Sequence, residues 1–373
     1  MKKRVGIITI IMIFILSSIS FASDNQNNEV TDKKYNIGEV EYFVGKILNI
    51  EDTNQSTVDM YSHSETKIVE VEIEKGKLKG KTVQAILSIF KETEEASDYK
   101  EGDSVIIFRD KNQMDDNYVI MDHYRMTWVY YLAGFFIIIL FLVGGKSGFK
   151  SLFTLLISVF MIIIMLPLIA KGYNPILITL IASIINAILS ILIIAGFTKK
   201  SLASILATIT GLAISFALAM VIGEKTYITG LSSDSSTMLL FLDNPISPKE
   251  IVFASIILGS LGAVMDVTVS IASAIEEIHK ANQSVKLLDL YKSGMNVGRD
   301  IMGTMSNTLI LAYFSSFLPV AILVFLNNSK MPFFYNMDMF VTEMVRILAG
   351  TIGLILVIPF TCIISALIYK KKR

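Results

Sequence analysis

Residues 251–275, IVFASIILGSLGAVMDVTVSIASAI, and residues 301–326, IMGTMSNTLILAYFSSFLPVAILVFL, decide how this chain is built. Each run is long and apolar enough to cross a bilayer as a helix. The segment between them, with Lys280, Lys286, Lys292 and Arg299, is too charged to enter hydrocarbon. Both runs nevertheless carry groups that hydrocarbon accepts only at a cost: Asp266 in the first, and Ser306, Asn307 and Thr308 in the second. The pair predicts two membrane-crossing helices with a polar seam through them.

Composition agrees with membrane residence. Of 373 residues, 53% are hydrophobic and 18% charged, with a mean hydropathy of +0.60, outside the range of ordinary soluble domains. The net charge of +0 hides a division. Residues 24–127 hold 22 acidic and 13 basic side chains, whereas residues 128–373 hold 11 and 17. An acidic soluble part therefore precedes a basic membrane part, and no basic surface of the kind that binds nucleic acid is present. The single cysteine, Cys362, lies in the last apolar run and reads as a small buried apolar residue. No disulfide, metal site or cofactor is expected.

Working outward, Lys2-Lys3-Arg4, the apolar run Val5 to Ile19 and the small Ala22 have the layout of a secretory signal peptide, residues 1–22. An uncleaved anchor is the alternative, and either one carries the next hundred residues out of the cell. Residues 23–37 read as a linker. Residues 38–124 alternate apolar and polar side chains in short runs broken by turns such as Glu101-Gly102-Asp103. Val69, Val71 and Ile73 share one strand face, and Glu70, Glu72 and Glu74 the other. Five or six such strands predict a small closed or partly open β-barrel. His63 and His123 have no accompanying ligand pattern, so they predict no metal.

Residues 125–373 then predict an all-helical membrane domain of seven spans: 128–143, 151–170, 175–195, 202–222, 251–275, 301–326 and 347–369. An exported N-terminal domain places 12 basic residues in the cytoplasmic connections and C-terminus, and five in the outer connections. That is the positive-inside bias, and it puts the C-terminus in the cytoplasm of a bacterial cell membrane.

In the fifth span, Ser255, Gly259, Gly262, Asp266, Ser270, Ser273 and Glu277 recur at spacings of four and three, which is one helical face. Ile256, Leu261 and Val264 fall off that face. Asp266 lies about 22 Å along the helix from Ile251. A lone carboxylate at that depth must be protonated, paired or in contact with water. In the sixth span, Asn296, Asp300, Gly303, Thr304 and Asn307 trace a comparable stripe. Asn307 is expected to donate to Asp266, and Arg299 to pair with Glu277. Small residues at Gly259, Gly262 and Gly303 allow close helix packing.

Two functional readings stand. In the first, Asp266 is the titrating or coordinating group of a permease or exporter for an unidentified small solute or ion, with Asn307, Ser270 and Thr304 along the path. In the second, the seam only holds helices together, and the external domain of a membrane scaffold or sensor binds a partner or envelope component. Catalysis is not expected, since no histidine lies in a span and no serine or cysteine has a base at helical spacing. Besides the bilayer, assembly with itself or with a similar membrane chain is left open.

The residues around the seam also resemble those of a known family. Gly259-Ser260-Leu261-Gly262-Ala263-Val264-Met265-Asp266-Val267, Ser270-Ile271-Ala272-Ser273, and Ser293-Gly294-Met295-Asn296-Val297-Gly298-Arg299-Asp300 through Asn307-Thr308-Leu309 look like the YibE/F family of multi-pass bacterial membrane proteins. Fainter likeness extends to Gly76–Lys81, Glu101-Gly102-Asp103 and Tyr124-Arg125. The resemblance implies a multi-pass fold and a place in the membrane, with a permease as its functional guess. It leaves the mechanism to the residues.

Overall fold

A computed structural model of the chain describes residues 40–51, 64–75, 78–90, 99–110, 118–231, 234–242, 244–327 and 333–370. The signal-peptide and linker segments lie outside the described residues, as do residues 57–61, another of the short alternating runs of the sequence. The chain divides into two compact units between Ile139 and Leu140.

In the first unit, five strands close into a barrel: β1 (Val40–Glu51), β2 (Ser64–Lys75), β3 (Thr82–Phe90), β4 (Ser104–Asp110) and β5 (Tyr118–His123). The order around it is β1-β2-β3-β5-β4, closed by β4 pairing with β1. Neighbours are antiparallel except β3 and β5, which run parallel. Strand alternation fills the interior with Val69, Val71 and Ile73 opposite Phe43, Ile47, Val105 and Ile107, while Glu72 and Glu74 face out. Of the closed and partly open barrels that the sequence allows, the closed one forms. β1 is bulged between Val44 and Gly45, and there β2 comes very close. A Cβ on Gly45 would lie 2.4 Å from Val71 Cγ1 and 2.8 Å from the Glu72 carbonyl oxygen. Only glycine allows this approach.

The end of β5 is clamped by side chains. His123 stacks on Tyr99 with ring centroids 4.0 Å apart, and Lys75 reaches the Tyr124 hydroxyl at 3.3 Å. Arg125 donates to Asp122, and this hydrogen bond holds the Asp122 carboxyl below the usual carboxylate range. The folded pKa lies below the unfolded one. The pair's contribution is therefore present above the ordinary range and is lost as pH falls through the lowered value. Both side chains are about half exposed, so the contribution is small.

Six helices among the described residues are long and apolar enough to cross a membrane. They are α1 (Met126–Ala170), α2 (Pro175–Ala195), α3 (Lys199–Lys225), α5 (Pro248–Ala281), α6 (Leu287–Asn327) and α7 (Asp338–Lys370), with a short α4 (Asp234–Met238) between α3 and α5. The 45 residues of α1 are two helices joined across a kink at Gly145, which has φ 48° and ψ −125°. The Phe141 and Phe149 rings are 6.2 Å apart, and a Cβ on Gly148 would strike the Leu140 carbonyl. A straight helix would hold residues eight apart at about 12 Å, so the chain turns back on itself here.

Helices α5 and α7 form the centre of the second unit, with α3 and α6 packed on both of them and α2 on α5. Their shared core contains Val264, Val267, Ile271, Leu354, Val357 and Cys362. Small residues bring the backbones together: Gly211 meets Val264 and Val357, Gly298 meets Ile271 and Ile358, and Gly353 meets Ser215. Hydroxyls in this interior find partners across helices, Thr208 and Thr268 at 2.8 Å and Ser204 to the Thr268 carbonyl at 3.3 Å. Gly45→Val would force β1 away from β2 and cost the barrel roughly 1–3 kcal/mol. Hydrogen exchange on the purified full chain is expected to show barrel amides losing protection by about tenfold or more, with bundle amides unchanged.

Candidate functional site

Helix α2 begins with Pro175 at its first turn, capped by the Asn174 side chain, which accepts from the Leu177 backbone N–H at 3.0 Å. Along it Thr179, Ser183, Asn186 and Ser190 recur at spacings of four, three and four, and all four are buried. This polar stripe faces the bundle. Asn186 Oδ1 accepts from Ser158 Oγ of α1 at 3.1 Å and from Ser190 Oγ at 3.4 Å. The Thr179 hydroxyl donates to Met165 Sδ at 3.2 Å. Ser183 Oγ is buried and has no partner among the described residues. The amide nitrogen of Asn186 likewise meets no protein acceptor among the described residues.

These groups border a cavity of about 220 Å³ between α1, α2 and α5. Ser158 and Met165 line it from α1, Ser183 and Asn186 from α2, and Gly262 and Met265 from α5. Gly262 matters by what it lacks, since a Cβ there would meet nothing within 4 Å. The cavity is mostly apolar, with the polar residues Ser158, Ser183 and Asn186 on its wall.

The expected seam is arranged differently. Asp266, Ser270 and Glu277 lie on the exposed face of α5, as do Gly259 and Gly262, and Ser273 is half-buried with its hydroxyl on the Val269 carbonyl. Asn296, Arg299, Asp300, Gly303, Thr304 and Asn307 are all exposed on α6. Among the described residues no hydrogen bond joins Asp266 to Asn307, and the Thr304 hydroxyl turns back to the Ile301 carbonyl. Glu277 pairs with Lys280 at 2.9 Å, and not with Arg299. Nor does Gly259 stand open for a neighbouring chain, because Tyr313 of α6 occupies the space its Cβ would need. The reason is helical period: α5 buries Val264, Val267, Ile271 and Ile275 against α6 and α7, which turns the polar face away from them.

A second polar group was not expected from the sequence. Glu343 and Arg346 form an ion pair at 2.7 Å on α7, with side chains only 14% and 20% exposed. Glu343 Oε2, Arg346 Nε and the Tyr313 hydroxyl are buried without partners among the described residues. Opposite charges three residues apart, just ahead of an apolar run, were the available signal.

The sequence profile of the YibE/F-like protein family matches residues 132–371. The chain belongs to that family. No curated protein and no solved structure matches it. This YibE/F-like protein is a multi-pass bacterial membrane protein with an extracytoplasmic β-barrel domain. The matched region starts in α1 and holds the cavity and both polar stripes, whereas the barrel precedes it. Among the described residues, no group of three His, Cys, Asp or Glu side chains is placed to hold a metal ion.

The unpartnered Ser183 hydroxyl gives a direct test. Ser183→Ala removes a buried polar group with no partner, so the bundle is expected to gain up to about 1 kcal/mol. Thermal unfolding of the purified YibE/F-like protein in detergent measures this. A loss of stability would show that Ser183 donates to a bound group.

Proposed function

We propose that this protein is a permease or exporter for a small solute or ion, which passes through the cavity bordered by Ser158, Ser183 and Asn186. One observation carries the reading: Ser183 Oγ is buried without a protein partner among the described residues, beside a cavity that Ser158 and Asn186 also line. Polar groups left unpaired in such a place are costly unless something else satisfies them. Asp266 is the charged group of the path. It comes directly after Met265 and lies one helical turn from Gly262, and both of those residues line the cavity.

In this reading α1 crosses the membrane twice, turning at Gly145, which makes seven crossings. Residues 1–22 are a signal peptide, residues 38–124 form the extracytoplasmic domain, and the C-terminus is cytoplasmic. Lys146, Lys150, Lys199 and Lys200 then lie on the cytoplasmic side, consistent with the positive-inside rule.

Flux into proteoliposomes across a panel of ions and small uncharged solutes tests the proposal. The native chain is expected to move at least one of them. Asn186→Leu, which keeps the side-chain shape and removes its amide, should lower that flux by about tenfold or more, the scale of losing one buried polar contact. Asp266→Asn should lower it and flatten its dependence on pH. Equal flux in all three proteins would remove both groups from the mechanism, and no flux of any solute would leave the scaffold or sensor reading.

A further inference from the structure

Helix α6 is the least buried of the long helices, with 11% of its most apolar stretch buried inside the protein against 56% for α5 and α7. Its packed face carries Leu290, Gly294, Gly298 and Leu309. Its outward face carries Asn296, Asp300, Gly303 and Asn307 at spacings of four, three and four, with Arg299 beside them. Thr304 and Thr308 satisfy their hydroxyls on backbone carbonyls of their own helix. Asn296, Arg299, Asp300 and Asn307 have no hydrogen bond or ion pair among the described residues.

Asn307 lies about 9 Å along the helix beyond Ile301, where the apolar run begins. Lipid chains cannot satisfy its amide. The apolar stretch Leu132 to Gly145 of α1 cannot do so either, because it contains no side chain that donates or accepts a hydrogen bond. The cover must therefore be polar, at the same depth, and able to approach closely at Gly303, where a Cβ would meet nothing within 4 Å.

We infer that this face is covered by the same face of a second copy of the chain, related by a two-fold axis along the membrane normal. Two copies inserted the same way hold equal residues at equal depth. The geometry suits the residues present. An asparagine amide both donates and accepts, so Asn307 complements itself. Arg299 of each copy comes opposite Asp300 of the other, one residue away in depth, and the two ion pairs are equivalent by symmetry. Gly303 between these contacts lets the backbones meet, as small residues do in membrane helix pairs. Arg299 and Asp300 lie just outside the apolar run, where water also reaches them, whereas Asn307 lies within it and is not needed by a flat lipid-facing helix. The inference is independent of whether the cavity transports a solute.

Disulfide trapping in native membranes tests it. With Cys362 replaced by alanine, Phe314→Cys places a thiol two turns beyond Asn307 on the same exposed face, and copper-phenanthroline oxidation is expected to give a covalent dimer of twice the chain mass. Leu189→Cys, exposed on α2, should give at least tenfold less. Arg299→Asp should reduce the Phe314→Cys dimer, and adding Asp300→Arg should restore it, which separates lost pairing from lost folding. The inference is overturned if Phe314→Cys gives no dimer, if it cross-links no better than Leu189→Cys, or if its adduct contains a different protein.

Discussion

Helix α5 has two faces of opposite chemistry, and the bundle closes on the apolar one. Val264, Val267, Ile271 and Ile275 are buried against α6 and α7, while Asp266, Ser270 and Glu277 are left outside. In water this would be ordinary amphipathic packing. In a bilayer the solvent for the outer face cannot hydrogen-bond, so every polar group there needs a protein partner or water. The remaining polar features of the molecule depend on how that requirement is met or left open.

Where it is met, the solution is local and cheap. Thr304, Thr308, Ser273 and Thr361 return their hydroxyls to the helix carbonyl three or four residues back. Thr208 and Thr268 satisfy each other across α3 and α5, because Gly211 lets α3 approach Val264 and Val357 closely. Where it is left open, three groups of residues stand out. Ser183 and Asn186 face one cavity, Glu343, Arg346 and Tyr313 hold unpaired atoms together, and Asn296 to Asn307 line one side of α6. Ser215, Ser365 and Tyr369 also hold buried unpaired atoms among the described residues, so open groups are not confined to these places.

The likeness of the two stripes on α5 and α6 conceals different surroundings. Gly259 and Gly262 are three residues apart and share a face, yet one is filled by Tyr313 and the other opens on the cavity. Neighbouring helices differ on either side of α5, so one turn of helix changes the environment completely. The same holds for Met265 and Asp266, adjacent in sequence, of which only Met265 lines the cavity.

The amino-acid sequence was enough to establish the membrane helices, the alternating strands of the barrel and the two polar stripes. These depend on local hydropathy and on helical or strand period, which any short window of residues carries. It also left a gap between the expected spans 128–143 and 151–170, and that gap contains Gly145, where α1 kinks. It could not say which face of a helix would be buried, because an exposed polar stripe and a paired one have the same spacing. Nor did it single out Asn186, whose place on a cavity wall depends on α1 and α5 arriving beside α2. Those contacts join residues far apart in sequence, and only the packing of whole helices decides them.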